Sequence, residues 1–157
     1  MFVHRRALIE VAGPIEGEEG GWTFRRGLLL ALEDEEGKIG FGEASPLPGW
    51  SREQLATSRW AVEAMSNPFE LEAEIHAVDA VVREVPPVLA SARFALETAL
   101  YDLLAKREGV SVAALLDPAR DSAPLCQSYR EGDRIRADTI KVKAGLDTFE
   151  DGVGRLG

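Results

Sequence analysis

Thr139-Ile-Lys-Val-Lys-Ala-Gly145 is the stretch of sequence on which the interpretation of this chain depends. Apolar residues alternate with lysines in it, and side chains on a β-strand point alternately to its two faces. The pattern predicts a strand with Lys141 and Lys143 on one face and Ile140 and Val142 on the other. Two structures fit it: an exposed strand with its lysines in water, or a strand of a parallel barrel with its lysines turned into the barrel.

The barrel interpretation would give the lysines a chemical role. Two ammonium groups on one face of a strand repel each other and lose hydration, and both effects lower the pKa of a lysine. A lysine tuned in this way can remove a proton from a carbon atom next to a carboxylate. The choice between an exposed strand and a barrel strand therefore depends on the rest of the sequence.

Composition limits the class of protein. The chain has 157 residues, an apolar share of 45% and a formal net charge of −9, with 27 acidic against 18 basic residues. This length suits one domain, or a small domain and part of another. The acidic excess argues against a nucleic-acid partner, and without a long apolar run or a signal peptide we expect a cytoplasmic protein with no membrane partner. Cys126 is the single cysteine, which excludes an internal disulfide and fits a reducing compartment.

The first part of the chain predicts an antiparallel meander. Residues 2–11 and 25–34 are rich in apolar side chains and predict two strands. Residues 35–37 predict a tight turn, and residues 38–42 the returning strand. Residues 13–21, with four glycines, predict a loop between the first two strands.

Four helical segments are predicted after this meander, at residues 52–65, 67–82, 91–106 and 111–116. Ser51 is predicted as the N-cap of the first, with Gln54 completing a capping box. Trp50 would then either pack onto this helix as a hydrophobic staple or contact a substrate. The third helix has the broadest apolar surface, which includes Leu100, and Gly109 is placed to end it.

The sequence changes character after residue 120. Residues 123–129 predict a strand, with Cys126 as a core residue. Residues 130–138 join it to the lysine-containing strand. This link has nine residues, whereas a parallel crossover usually needs a dozen or more.

Three segments resemble parts of a known family: Phe24-Arg-Arg-Gly-Leu-Leu-Leu30, Ser91-Ala-Arg-Phe-Ala-Leu-Glu-Thr-Ala-Leu-Tyr-Asp-Leu-Leu104 and Thr139-Ile-Lys-Val-Lys-Ala-Gly145. They resemble the second capping strand, the helix before the barrel and the second barrel strand of the enolase superfamily, in its muconate-cycloisomerase-like subgroup. Within that subgroup, Gly42-Glu-Ala-Ser-Pro-Leu-Pro-Gly-Trp-Ser51 is most similar to the o-succinylbenzoate synthases. The resemblance implies an α+β capping domain at residues 1–120, built from a three-stranded antiparallel meander and helices. Residues 121–157 would be the first strands of an incomplete TIM-type α/β barrel.

The resemblance also implies a reaction. An intact o-succinylbenzoate synthase is a lyase of menaquinone biosynthesis that dehydrates a succinyl-hydroxycyclohexadiene carboxylate to 2-succinylbenzoate. A lysine removes the proton next to the carboxylate, and a divalent metal, usually Mg2+, stabilises the enediolate. Lys143 would be the acid/base, and Lys141 would stabilise the developing charge. Two loops would close over the small carboxylate substrate and set specificity, and their residues are Gly20, Gly21, Ser45, Pro46, Leu47 and Trp50.

The sequence departs from the family after the capping domain. The three acidic metal ligands and the second lysine of the family lie on later barrel strands, so we predict no metal ligand among these residues. A complete barrel takes about 250 residues. We therefore expect either a shortened chain or part of a longer polypeptide.

Two further functions stay open. Racemases, epimerases and cycloisomerases of the same subgroup share the scaffold. The other alternative is a non-catalytic remnant that serves as an association module, because open strand edges and uncovered apolar surface favour binding to a partner or a second copy.

Overall fold

The computed structural model describes residues 1–14, 24–72, 74–116, 122, 124–129 and 134–142. The chain divides into two compact units, Met1–Pro118 and Ala119–Gly157.

The first unit contains an antiparallel sheet whose strands are β1 (Phe2–Pro14), β2 (Phe24–Asp34), β3 (Ile39–Ala44) and β4 (Phe69–Glu70), in the order β3-β2-β1-β4. The meander of β1, β2 and β3 confirms the antiparallel arrangement that we predict from the sequence. The sheet also has a fourth strand that the sequence did not predict, because the two-residue strand β4 pairs with the start of β1.

The β2–β3 turn is closed by a buried carboxylate. Oδ1 of Asp34 accepts hydrogen bonds from the backbone N–H groups of Glu36 and Lys38, each at 2.9 Å. Gly37 adopts a left-handed φ of 78°, which a residue with a side chain rarely takes.

Four helices follow in the first unit: α1 (Leu55–Ala64), α2 (Ile75–Val82), α3 (Ala90–Glu108) and α4 (Val112–Leu115). The predicted helix at 91–106 and the short helix at 111–116 are confirmed as α3 and α4. Gly109 ends α3 with a left-handed φ of 69°, as we predict from the sequence.

The predicted starts of the first two helices are wrong. The helix α1 begins three residues later than predicted, with Gln54 as its N-cap and Thr57 completing the capping box. The hydroxyl of Ser51, the predicted cap, instead accepts a hydrogen bond from the Leu47 N–H group at 2.9 Å. Residues 67–74 are not part of α2, because two of them form β4.

The core lies between β2 and α3. Leu28, Leu30 and Leu32 alternate along β2 and are fully buried. Leu30 and Leu32 share one buried cluster with the leucines of α3, which are Leu96, Leu100, Leu103 and Leu104. Leu28 packs in a second, smaller cluster with Ala44 and Ala95. Each fully buried leucine contributes about 1.5–3 kcal/mol through removal of apolar surface from water, so these side chains stabilise the first unit substantially.

The helix α3 also covers the free edge of β3. Gly40 and Gly42 allow its backbone to approach, since a Cβ atom on Gly42 would lie 1.8 Å from the carbonyl oxygen of Ala95. Oδ2 of Asp102 accepts from the N–H group of Phe41 at 2.8 Å. Unpaired edge groups invite pairing with other chains, and here a side chain of α3 satisfies one of them.

The second unit contains two short strands, β5 (Cys126–Tyr129) and β6 (Thr139–Val142), which pair in parallel. The prediction of a buried Cys126 is wrong, because its side chain is exposed. Within the described part of this unit, the apolar neighbour Leu125 is also exposed, at 84% of its full area. These two side chains therefore have no core around them.

Candidate functional site

Residues 45–51 form a turn that is closed by its own hydrogen bonds. The carbonyl oxygen of Leu47 accepts from the N–H groups of Trp50 at 3.1 Å and Ser51 at 2.8 Å. Gly49 supplies the left-handed φ of 80° at the tip, where glycine avoids strain. The turn therefore has a defined local shape before anything binds to it.

The side chains of this turn differ in exposure. Pro46 is buried, and Leu47 is partly buried. Trp50 is 82% exposed, so its interpretation as a hydrophobic staple on the following helix is wrong. An exposed tryptophan beside a closed turn offers a large apolar surface, and aromatic side chains of this kind dominate contacts at binding sites.

Ser45 joins the turn to the end of β3. Its carbonyl oxygen accepts from the Arg25 guanidinium at 2.6 Å. Its hydroxyl oxygen is buried and finds no hydrogen-bond partner among the described residues. A buried hydroxyl without a partner is uncommon, because leaving it unpaired costs about 1–3 kcal/mol. Among the described residues, this hydroxyl is the one buried side-chain polar atom that lacks a hydrogen-bond partner.

The other expected substrate loop begins at the same end of the sheet. Gly20 and Gly21 lie outside the described residues. Pro14 and Phe24 pair across β1 and β2, so both ends of the segment that joins these strands are fixed beside each other. Because the adjacent Arg25 contacts Ser45, the strand ends at Pro14 and Phe24 lie at the same end of the sheet as the start of the 45–51 turn.

The two predicted catalytic lysines are placed differently. Lys141 lies on β6 opposite Ser128, and its side chain is exposed. Lys143 lies outside the described residues, so its role stays a prediction. The expected alternation of the strand is consistent with Ile140, which is partly buried next to the exposed Lys141.

The described residues form neither a metal-binding cluster nor a membrane-spanning helix. No group of three or more His, Cys, Asp and Glu side chains lies close enough there to hold a metal ion. His4 contacts Glu33, and His76 contacts Glu72 and Glu74, on exposed surfaces. No described helix has the length and apolar character that a bilayer crossing requires.

Sequence reasoning missed the role of Glu53. Its side chain is buried and accepts hydrogen bonds from the Ser58 hydroxyl at 2.8 Å and from the Ser91 N–H group at 2.5 Å. A glutamate beside the N-cap of a helix usually lies in water, so no pattern in the sequence indicates that the Glu53 side chain is buried. Its partner on α3 lies 38 positions away along the chain.

Comparison with known proteins places the first unit in a family. Residues 10–117 match the family model of the mandelate racemase/muconate lactonizing enzyme N-terminal domain. An o-succinylbenzoate synthase from Thermosynechococcus vestitus is 37% identical over 86 residues, which are 55% of this chain and 24% of that protein. A chloromuconate cycloisomerase from Cupriavidus pinatubonensis is 32% identical over 135 residues, which are 74% of this chain and 36% of that protein. The chain thus spans about a quarter to a third of the length of these relatives.

A solved structure supports the fold. A protein from Roseovarius nubinhibens, assigned to the mandelate racemase/muconate lactonizing enzymes and crystallised in complex with magnesium, superposes with a TM-score of 0.65. It is 18% identical, and the match covers 81% of this chain and 36% of the other. The sheet and helices of the first unit therefore form the N-terminal capping domain of the enolase superfamily.

Proposed function

Because this chain belongs to the mandelate racemase/muconate lactonizing enzyme family through its N-terminal domain, we propose that it is the substrate-capping part of an o-succinylbenzoate synthase-like lyase. Residues 1–120 would be the capping domain, and residues 121–157 the first strands of a TIM-type barrel. The observation that carries the proposal is the 37% identity over 86 residues to an o-succinylbenzoate synthase. Fold alone would not support this function, since one fold hosts many reactions.

The proposed reaction is the loss of water from a cyclic hydroxy-carboxylate. Lys143 takes the proton from the carbon next to the carboxylate and returns a proton to the departing hydroxyl group, which leaves as water. Lys141, two positions earlier, keeps a positive charge near the enediolate that forms.

The two loops are proposed to hold the substrate. The 45–51 turn supplies the exposed ring of Trp50 and the unpartnered hydroxyl of Ser45, while the segment with Gly20 and Gly21 would close from the adjacent side. Closure would exclude water around the developing charge, which strengthens its attraction to the ammonium groups.

The metal of the family needs ligands that the described residues do not provide. The magnesium complex of the Roseovarius protein supports Mg2+ as the cofactor of an intact enzyme. Among the described residues no cluster could bind it, and we derive no step of the reaction through the metal. Titration calorimetry of a chain confirmed by mass as 157 residues is expected to detect no stoichiometric, micromolar Mg2+ binding.

The test is turnover by the protein produced from its complete gene. Lys143→Ala should lower the rate of dehydration by about 10²–10⁴-fold, the usual contribution of a general acid/base, with the thermal melt unchanged. Lys143→Arg should not restore the rate, since an arginine stays protonated. Lys38→Ala removes an exposed lysine from the β2–β3 turn and is the matched control, with parental turnover. A folded Lys143→Ala protein that dehydrates the substrate at the parental rate would end the proposal.

A cycloisomerase is the second candidate function, and the 32% identity over 135 residues to a chloromuconate cycloisomerase favours it. A substrate panel that contains muconates, N-acylamino acids and dipeptides beside the hydroxy-carboxylate separates these reactions. Measuring the intact mass and the oligomeric state of the protein tests the alternative that it is a non-catalytic association module. A protein of 157 residues that turns over none of these substrates and self-associates would support it.

A further inference from the structure

Glu53 is a buried carboxylate whose partners come from two different helices. Its residue is 8% exposed. Oε2 accepts from the hydroxyl of Ser58 on α1 at 2.8 Å, and Oε1 accepts from the N–H group of Ser91 on α3 at 2.5 Å. Ser58 is fully buried, and its hydroxyl oxygen lies 3.3 Å from that of Ser91. Burying a carboxylate is costly unless hydrogen bonds compensate, so these contacts hold Glu53 in one place.

The contact with Ser91 completes the start of α3. Backbone N–H groups in the first turn of a helix lack partners within the helix, and the N-cap residue Leu89 supplies no side-chain hydrogen bond. The Glu53 carboxylate takes that role from a distant part of the chain. Its negative charge is also favourable at a helix N-terminus.

The position of Glu53 in the chain links this contact to the 45–51 turn. Only Arg52 separates it from Ser51, the last residue of the turn. At the other end, the Arg25 guanidinium holds the carbonyl oxygen of Ser45. The hydrogen bonds inside the turn fix its shape. Its orientation depends on the packing of the buried Pro46 and on the anchors at Ser45 and Glu53.

We propose that Glu53 is a positioning residue, which orients the 45–51 turn toward the carboxylate substrate by fixing it to the start of α3. The proposal rests on the proposed function in one respect, namely that this turn contacts substrate. Glu53 itself touches no reacting atom. It acts through the placement of Ser45 and Trp50.

The orientation can be measured without any turnover. In a Cys126→Ser background, spin labels at Trp50→Cys in the turn and Glu108→Cys at the far end of α3 report the distance between the two elements. Residues 91–108 of a helix span about 26 Å, and a label-to-label distance of this order lies in the range of pulsed electron paramagnetic resonance. We expect one narrow distance distribution in the otherwise unchanged chain.

Three variants separate positioning from general stability. Glu53→Ala should broaden the distance distribution at least about twofold, because the turn loses one anchor. Glu53→Gln should keep it narrow, because the amide oxygen can accept from the Ser91 N–H group and the amide nitrogen can donate to the Ser58 hydroxyl. Glu63→Ala, which removes an exposed carboxylate from α1, is the matched control and should leave it narrow. If Glu53→Ala does not fold, Ser58→Ala removes one of the two hydrogen bonds and should give an intermediate width.

Kinetics then connect the orientation to the substrate. In the protein from the complete gene, Glu53→Ala should raise KM at least about tenfold and change kcat less, and Glu53→Gln should restore KM. A narrow distribution in folded Glu53→Ala would overturn the anchoring. A broad distribution with parental KM would overturn the role in substrate positioning. A parental protein without turnover would count against the proposed function, whereas the distance measurement would still decide whether Glu53 anchors the turn.

Discussion

Replacing Gly42 by alanine should destabilise the first unit, because there is no space for a methyl group between β3 and α3. The new Cβ atom would lie 1.8 Å from the carbonyl oxygen and 2.7 Å from the carbonyl carbon of Ala95, both of which are backbone atoms. To restore an ordinary contact of 3.4 Å, α3 would have to withdraw by about 1.6 Å. A gap of 0.5–1 Å already forfeits about a quarter to a half of a van der Waals contact. We therefore expect the upper end of the range for overpacking, at least about 3 kcal/mol.

This loss is measurable by thermal unfolding. At about 4 °C per kcal/mol for a domain of this size, the melting temperature should fall by about 12 °C. Gly13→Ala is the matched control: it makes the same change in the same sheet at a position with nothing within 4 Å of the new atom. Its melting temperature should equal that of the parent or rise slightly. If Gly42→Ala melts together with Gly13→Ala, the close contact of α3 with β3 does not exist in solution.

Three further perturbations test other parts of the first unit. Leu100→Asp puts an unpaired charge at a fully buried position and should unfold the first unit. Ala80→Asp puts the same charge at an exposed site and should leave the unit folded. Equal far-ultraviolet circular dichroism spectra for the two variants would contradict the core assignment. Asp102→Ala removes the hydrogen bond that the exposed N–H group of Phe41 donates. Because water can replace this partner, the free energy of unfolding in urea should fall by only about 0.5–1.5 kcal/mol, and an unchanged midpoint would refute the proposed protection of the β3 edge. The pKa of Tyr101 is raised above its ordinary 10.0, mainly by burial and to a smaller extent by two nearby carboxylates. The folded state therefore disfavours the phenolate, so the free energy of unfolding should be constant with respect to this group below pH 10 and should fall as the pH rises above 10. Tyr101→Phe should make this fall shallower, and parallel alkaline unfolding curves would count against the raised pKa.

Local patterns predicted the parts of the fold that are set by neighbours in the sequence. The alternation of Leu28, Leu30 and Leu32 places them on one face of a strand, and this holds whatever they pack against. In α3, the helical spacing of its leucines and the glycine at 109 give both the buried face and the end of the helix. These elements are also the ones that the family resemblance implies.

Contacts between distant residues could not be read from the sequence. Ser51 and Gln54 are both acceptable helix caps, and the choice between them depends on a hydrogen bond from Leu47 that closes the preceding turn. The strand β4 has two residues, too few for any periodicity, and exists because β1 offers it an edge. Glu53 is buried only because the start of α3 comes to lie beside it.

The helix α3 unites the packing of the first unit with its proposed binding surface. The glycines at 40 and 42 fix its distance from β3, and its leucines fix its face against β2. Its first turn must then lie where the Ser91 N–H group meets Glu53. A methyl group at residue 42 would push α3 outward and should also pull this anchor away from the 45–51 turn. The spin-label distance distribution should therefore broaden in folded Gly42→Ala as it does in Glu53→Ala. Combining the two substitutions should broaden it little further, because both changes disrupt the same connection.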